Sequence, residues 1–344
     1  MRKLIVFASA LALSSGMAFA MEEAPSVAVG GSGKIGIKSV DDSSNPDAEQ
    51  FKLVRAYKVT FDSTGTTDGG LMFGAGMSIR DDTGEKDVTN DEGEKVQGPA
   101  VKGSYVFVGG ADGSWKLQFG GNDPGIDLAG GFGIADDHFG GENDVSMALS
   151  GSFGNTSFRI TAAAPDATGD GDNDWSVGVS HSINTISVGV GMDSESGLAI
   201  GVGTDLSGVS TYLYWSKSEF KNVDFNQQLA EPLIGIFPQD QVLGTQKYTG
   251  LGVKASMSAG EGATFSVGYS TLKLEQVSDS IPFGREGTAK TKKIEVDFSY
   301  DLGGGATLSV GIDKEDKQEL TDVGQYEIEE SDITTLEAAI AFTF

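Results

Sequence analysis

The chain has 344 residues and carries 50 acidic against 24 basic side chains, which gives a formal net charge of -26. Such an excess of acid excludes a nucleic-acid-binding protein that acts by neutralising phosphates. The chain has no cysteine, which excludes a disulfide-stabilised fold, and its 50 glycines against 8 prolines do not suit a helical one. After the first twenty residues, no apolar run reaches the roughly 20 residues that a membrane-spanning helix requires. A helical membrane protein is therefore excluded as well.

Residues 1–20 have the organisation of a secretory signal peptide. A basic start, Arg2 and Lys3, precedes an apolar run, and the small-x-small pattern at 18–20 suits a cleavage site. We therefore expect these residues to direct export and to be removed. The mature protein, 21–344, is expected to form a single domain.

From Val27 onward, apolar and polar residues alternate with a period of two, which indicates β-strands that are apolar on one face. In 71–80, for example, all odd positions are apolar, whereas even positions are mostly small or polar. We count sixteen such segments, each bounded by turn residues. They begin near residues 27, 50, 69, 99, 113, 143, 155, 173, 184, 196, 208, 247, 262, 290, 304 and 332, with ends uncertain by about 2–4 residues.

The connections between these segments alternate between tight turns and much longer polar excursions, the longest over 120–143 and 216–245. An even-stranded outer-membrane barrel has this asymmetry, with tight turns in the periplasm and long loops outside. A soluble sandwich also alternates, but it would need a shared dry core, and the second faces here are glycine, serine, threonine and charge. Along segments such as 71–80 and 294–300 the apolar face carries no charge, and the exceptions, Arg55 and Lys273, lie near long loops. The sequence therefore predicts an all-β fold: a 16-stranded antiparallel transmembrane β-barrel, located in the outer membrane.

Segment 57–61 and the turn and strand over 65–75 resemble the second hairpin of the general porins of Gram-negative bacteria, most closely those of the Rhodobacter type. The last segment ends on Phe344, which is similar to the end of outer-membrane barrels generally. In architecture the resemblance covers the whole mature chain. It implies a non-enzymatic, homotrimeric channel for passive diffusion of ions and small hydrophilic solutes, with its third long loop folded into the lumen as a constriction.

The third long connection, 120–143, is acidic and contains no lysine or arginine. On its residues alone it could be one more solvated loop, but the resemblance makes it the constriction loop. The candidate acidic residues of the constriction are Asp123, Asp127, Asp136, Asp137, Glu142 and, just after the loop, Asp144.

Strand parity selects the basic residues that should oppose this loop. If the apolar positions face lipid, the basic side chains that alternate with them face the lumen: Lys34, Lys38, Lys58, Arg80, Lys116 and Arg159. Each of them could instead sit at the interface or pair with a neighbour. Because neighbouring strands are about 4.8 Å apart, several can share one wall and produce a transverse field. The excess of acid predicts a weak cation preference, which a Debye length of about 8 Å keeps modest.

Dedicated metal, redox or catalytic chemistry is not predicted, because the chain has no cysteine and only two histidines, His138 and His181. We expect no cofactor, apart from a Ca²⁺ ion held loosely on acidic loops such as 170–174. The expected partners are outer-membrane lipid and lipopolysaccharide, with divalent ions bridging acidic outer loops to its phosphates. Two alternatives stay open: a substrate-selective channel of the same fold, and a structural outer-membrane barrel.

Overall fold

The computed structural model describes residues 26–44, 51–81, 88–89, 95–96, 100–136, 145–163, 175–224, 243–278, 286–321 and 327–344. Some predictions concern residues outside these ranges and stay predictions. They are those for the signal peptide, Asp137, Glu142, Asp144, His138 and the candidate calcium segment 170–174.

Sixteen of the described strands close into one antiparallel barrel, and a small separate hairpin, β4 with β5, lies in the second long connection. Each barrel strand pairs with its neighbours in the chain, and β1 pairs with β18. The strands are β1 Ser26–Asp42, β2 Phe51–Thr66, β3 Leu71–Asp81, β4 Val88–Thr89, β5 Lys95–Val96, β6 Ala100–Gly110, β7 Trp115–Gly120, β8 Val145–Phe153, β9 Thr156–Ala163, β10 Trp175–Ile183, β11 Ile186–Asp193, β12 Leu198–Leu206, β13 Val209–Asp224, β14 Leu243–Ser258, β15 Ala263–Ser278, β16 Glu286–Gly303, β17 Ala306–Thr321 and β18 Glu327–Thr343. The predicted 16-stranded barrel is therefore confirmed.

The apolar positions of the alternating pattern point outward. On β3, Leu71, Phe73 and Met77 are 47%, 43% and 41% exposed, although they are among the most hydrophobic residues of the strand. The intervening positions, such as Gly74 and Ser78, face the inside of the barrel. A lipid-facing outer surface around a polar lumen accounts for this arrangement, since a soluble protein would bury the apolar face.

Strand lengths differ around the barrel. β7 has 6 residues, whereas β16 has 18. The predicted starts of β14, β16 and β18 fall four to five residues late, because these strands begin at Leu243, Glu286 and Glu327. Their first residues extend beyond the apolar belt, where both faces meet water and alternation fades. Tight turns lie at one end of the barrel as predicted, but β11 and β12 are also joined tightly at the long-loop end, by residues 194–197.

The barrel closes where β1 meets β18, and aromatic side chains cover glycines at this seam. Gly33 pairs with Phe342, and a Cβ atom built on Gly33 would lie 2.4 Å from the Phe342 ring. A Cβ on Gly31 would lie 2.5 Å from the ring of Phe344, and the backbones of these two residues exchange hydrogen bonds of 2.9 and 3.0 Å. An aromatic ring that covers a strand glycine replaces the missing side-chain contact and helps to fix the register.

Candidate functional site

The connection after β7 lies inside the barrel, against one wall. It contains a short 3-10 helix, η1, at Gly125–Ala129, which contacts β9, β10, β11 and β12. The segment then continues along β13, β14 and β15, where Ala135 lies against Gly250 and Ile134 against Ser270. All of these wall positions alternate with lipid-facing residues, so the segment crosses the lumen side of the wall.

Hydroxyl groups of the wall hold the backbone of this segment. Ser176 accepts a hydrogen bond from the Ile126 amide at 2.6 Å, and Tyr212 donates one to the Ala129 carbonyl at 2.9 Å. Further along, Ser216 donates to the Ala135 carbonyl at 2.5 Å. Weaker bonds join Thr161 to Gly125, Ser270 to Ile134 and Arg159 to the Asp123 carbonyl, at 3.2, 3.2 and 3.3 Å. The path of the segment is therefore fixed from its start to Ala135.

Glycines in the wall make this close approach possible. Cβ atoms built on Gly178, Gly201 and Gly250 would lie 1.9, 2.0 and 2.1 Å from backbone oxygens of the segment. Such contacts are sterically impossible for any other residue without movement of the loop. The inward-facing glycines of β10, β12 and β14 thus form a groove that receives the loop backbone.

The segment packs apolar side chains on the wall, and its carboxylates differ in exposure. Ile126, Ala129 and Ala135 are buried, whereas Asp123 and Asp127 are exposed and Asp136 is half-buried beside Gly131. Burial of the apolar residues stabilises the loop position by removing their surface from water. Three of the six predicted acidic residues are therefore placed on a fixed loop in the lumen.

The six predicted basic residues all lie on inward-facing strand positions, and five of them are on strands that the loop does not cover. Lys58 and Arg80 face each other across β2 and β3. Lys116 on β7 lies over the rings of Tyr105 and Phe107, with its ammonium group 5.8 and 5.6 Å from their centroids.

Lys34, Lys38 and Arg159 differ from that group in their contacts. The Lys34 ammonium lies 2.5 Å from a carboxylate oxygen of Glu337, and Lys38 is the cross-strand partner of Glu337. Arg159 lies on β9 where the loop begins and donates to the Asp123 carbonyl. The structure therefore places Arg159 beside the acidic loop and not on the wall opposite to it.

A second acidic group lies on the inner wall of β16 and β17, and the sequence analysis missed it. The Lys293 ammonium lies 2.5 Å from Glu295 and 3.6 Å from Asp313, and Asp297 accepts a hydrogen bond from Ser266 at 3.4 Å. The alternation of the strand indicates their inward position, because the lipid-facing Ile294, Val296 and Phe298 alternate with these charged residues. Nearby, the Lys254 ammonium lies 5.5 Å from the centre of the Phe132 ring in the loop.

Together these groups divide the inner surface into sectors of opposite charge. A barrel of sixteen strands that are about 4.8 Å apart and tilted by about 40° is roughly 30 Å across between backbones. The loop covers β9 to β15, five of the six predicted basic residues lie on β1 to β7, and the acidic group lies on β16 and β17. A solute that passes the loop therefore meets carboxylates on one side and ammonium or guanidinium groups on the other.

The described residues contain no group of three or more histidine, cysteine, aspartate or glutamate side chains arranged to hold a metal ion. Within the same residues, no helix is long and apolar enough to span a membrane.

A closed barrel with an apolar exterior, a charged interior and an internal loop defines a transmembrane channel protein. The sequence profile of the family described as Gram-negative porin matches residues 8–320. Since this span is most of the chain, the protein belongs to the Gram-negative porin family and is a channel of the outer membrane. The predicted resemblance is therefore confirmed.

Solved structures agree in fold. A refined porin structure is 17% identical, with 93% of this chain and 100% of that chain covered and a TM-score of 0.57. OmpT of Vibrio cholerae, in its trimer form, is 10% identical over 94% of this chain and 100% of that chain, with a TM-score of 0.64. A variant of the Rh. blastica porin is 13% identical over 93% and 100%, with a TM-score of 0.62. A search among curated proteins finds no match.

Proposed function

We propose that this porin carries ions and small hydrophilic solutes by passive diffusion, with a weak preference for cations. The observation that supports this most strongly is the fixed acidic loop, which brings the exposed Asp127 and the half-buried Asp136 into a lumen lined on the other side by basic residues. Opposed charges orient water and disfavour apolar molecules, which would have to displace that aligned water.

The direction of the preference follows from the balance of charge. The basic wall is partly neutralised, because Lys34 pairs with Glu337. In addition, the acidic group of β16 and β17 is separated from β1 by β18 alone. With the loop carboxylates added, the net charge along the lumen is negative and favours cations. In water, a unit charge about 8 Å from a permeating ion contributes about 0.5 kcal/mol before screening by salt. The preference should therefore be small and should decline as the salt concentration rises.

Reversal potentials across planar bilayers under a potassium chloride gradient test this proposal. Replacing Asp127 and Asp136 with asparagine should lower the cation-to-anion permeability ratio by about twofold or more, since two such contributions are lost. Glu261→Gln is the control for loss of a single carboxylate outside the lumen, because Glu261 lies in the exposed turn between β14 and β15. A clear anion preference of the unaltered protein would contradict the proposal. Absence of any conductance would favour a structural barrel.

Swelling assays on proteoliposomes distinguish passive diffusion from substrate selectivity. Sugars of equal size should enter at equal rates, because no described feature beyond charge and width discriminates between them. A marked preference for one sugar among equals would favour the substrate-selective alternative.

We further propose that the protein assembles as a homotrimer. The structurally similar OmpT of Vibrio cholerae is described in a trimer form, and the barrel here has the same fold. The mass of the purified protein in detergent, measured by light scattering with the detergent subtracted, should be three times that of one mature chain, which is the 35.7 kDa of the full sequence less its signal peptide. A mass of one chain would contradict this.

A further inference from the structure

The outer face of the barrel carries a cluster of lysines directly above its apolar belt. On β16, the outward positions are Lys290 and Lys292, and Ile294 is the next outward residue. On β17 the outward Lys314 is likewise followed by Ile312, and on β15 the outward Lys273 is followed by Thr271 and then Tyr269. We name Lys273, Lys290, Lys292 and Lys314 the lysine patch. The patch is basic although the chain is strongly acidic overall.

Strand register brings the lysine patch into one small area. Lys273 and Lys290 are direct cross-strand partners, and Lys292 is the next outward residue after Lys290. Lys314 pairs with Ile294 and is therefore diagonal to Lys292. The row of Lys273 and Lys290 also continues through Thr249 to Lys217 on β13. Like charges directly opposite each other destabilise a sheet, so the arrangement calls for a compensating anion.

The protein itself compensates only part of this charge. Lys273 pairs with Glu275, and Lys314 lies 3.5 Å from Asp316. Among the residues that the structure describes, Lys290 and Lys292 form no ion pair within 4 Å, although Asp316 is the direct cross-strand partner of Lys292. Both lysines are exposed. Two ammonium groups at the centre of the patch are thus available to an external anion.

The height of the patch indicates which anion it meets. From Lys292 to the lipid-facing Tyr300 near the periplasmic turn, eight residues along a strand tilted by about 40° rise roughly 20 Å. That distance is close to the apolar belt of an outer-membrane barrel, about 25 Å tall. The patch therefore lies at the headgroups of the outer leaflet, on the side of the long loops.

We propose that the lysine patch binds the phosphate groups of the outer-leaflet glycolipid, lipopolysaccharide, directly. This mode differs from the predicted bridging of acidic loops by divalent ions, because ammonium groups need no metal to bind phosphate. It rests on the barrel and its location in the outer membrane and not on the proposed ion selectivity.

Native mass spectrometry of the detergent-solubilised protein tests this inference. The probes are bis-phosphorylated lipid A and the same lipid without its phosphates, both with a chelator present to remove divalent ions. The unaltered protein should retain phosphorylated lipid A and lose the dephosphorylated form. In Lys290→Gln/Lys292→Gln, affinity should fall by about tenfold or more, because each lysine near an anionic surface contributes roughly a fivefold effect. Lys38→Gln/Lys102→Gln, which removes the same charge from inward positions, should bind as the unaltered protein does.

Two measurements keep the test decisive. Heat-modifiable electrophoretic mobility shows whether each variant is a closed barrel, and conductance of the same samples reports the channel separately from the lipid. Equal retention of both lipids, or unchanged affinity in Lys290→Gln/Lys292→Gln, would overturn the proposal. Loss of a second protein copy from that variant, with lipid retained, would show that the patch is a subunit contact instead. Lipid binding without conductance would leave the patch intact and contradict the diffusion function.

Discussion

Replacing Gly201 with alanine should displace the loop between β7 and β8 from the wall of the barrel. A Cβ atom on Gly201 would lie 2.0 Å from the Ala129 carbonyl oxygen and 2.4 Å from the Tyr212 hydroxyl. The new methyl group would therefore stand inside the hydrogen bond, 2.9 Å long, that joins those two atoms. To restore an ordinary contact, the loop must move by about 1.4 Å toward the lumen.

The energetic cost should be about 1–3 kcal/mol, typical of an extra methyl group in a packed site with a lost hydrogen bond. Each 1.4 kcal/mol changes the ratio of attached to detached loop about tenfold. Single-channel recordings in planar bilayers should show lower conductance and more open-channel noise. The control is Gly203→Ala on the same strand, where a Cβ would meet first the rotatable hydroxyl of Ser187 at 2.7 Å. If both variants conduct as the unaltered protein does, the loop is not held at this point.

Two further predictions concern stability. Gly33→Ala should destabilise the barrel by about 1–3 kcal/mol, because the Phe342 ring must leave its place over the glycine, and should lower the temperature at which the barrel loses its compact electrophoretic mobility. The control is Gly30→Ala, where the nearest atom to the new Cβ would be 3.4 Å away. Equal melting temperatures of the two variants would refute the role of the seam. The pKa of Asp112, in the turn between β6 and β7, is lowered because the backbone and hydroxyl of Ser114 donate hydrogen bonds to its carboxylate. The ionised Asp112 carboxylate therefore stabilises the folded state at neutral pH, and this stabilisation is lost as the pH falls below about 4. In urea titrations, Asp112→Asn should reduce the loss of stability on acidification. An unchanged loss in the variant would contradict this.

The barrel could be predicted from the sequence, because a strand with lipid on one face and water on the other alternates apolar and polar residues with a period of two. Parity also placed Lys58 and Arg80 on inward-facing positions. The same rule places Glu295 and Asp297 on the inner face of β16, because they alternate with lipid-facing residues. Strand starts such as Glu286 were less predictable, because above the belt the two faces no longer meet different solvents.

The path of the third loop could not be read from its residues. Its position depends on Gly178, Gly201 and Gly250, which lie far along the chain and look like ordinary strand glycines. Only the closed barrel brings them to one wall. The lysine patch has the same origin, since Lys273 and Lys290 become neighbours through the register of two strands.

The pairing of β1 with β18 has a consequence for how the molecule is made. Every other pairing joins two strands that follow each other around the barrel with only a turn or loop between them, the β3–β6 loop containing the small hairpin. Ser32, in contrast, pairs with Thr343 only after all the other strands are in place. Until then the sheet has two open edges, whose amides and carbonyls find no partner in hydrocarbon. A partly assembled barrel is consequently not a stable intermediate in the bilayer, and membrane insertion must be coupled to barrel closure in one cooperative event.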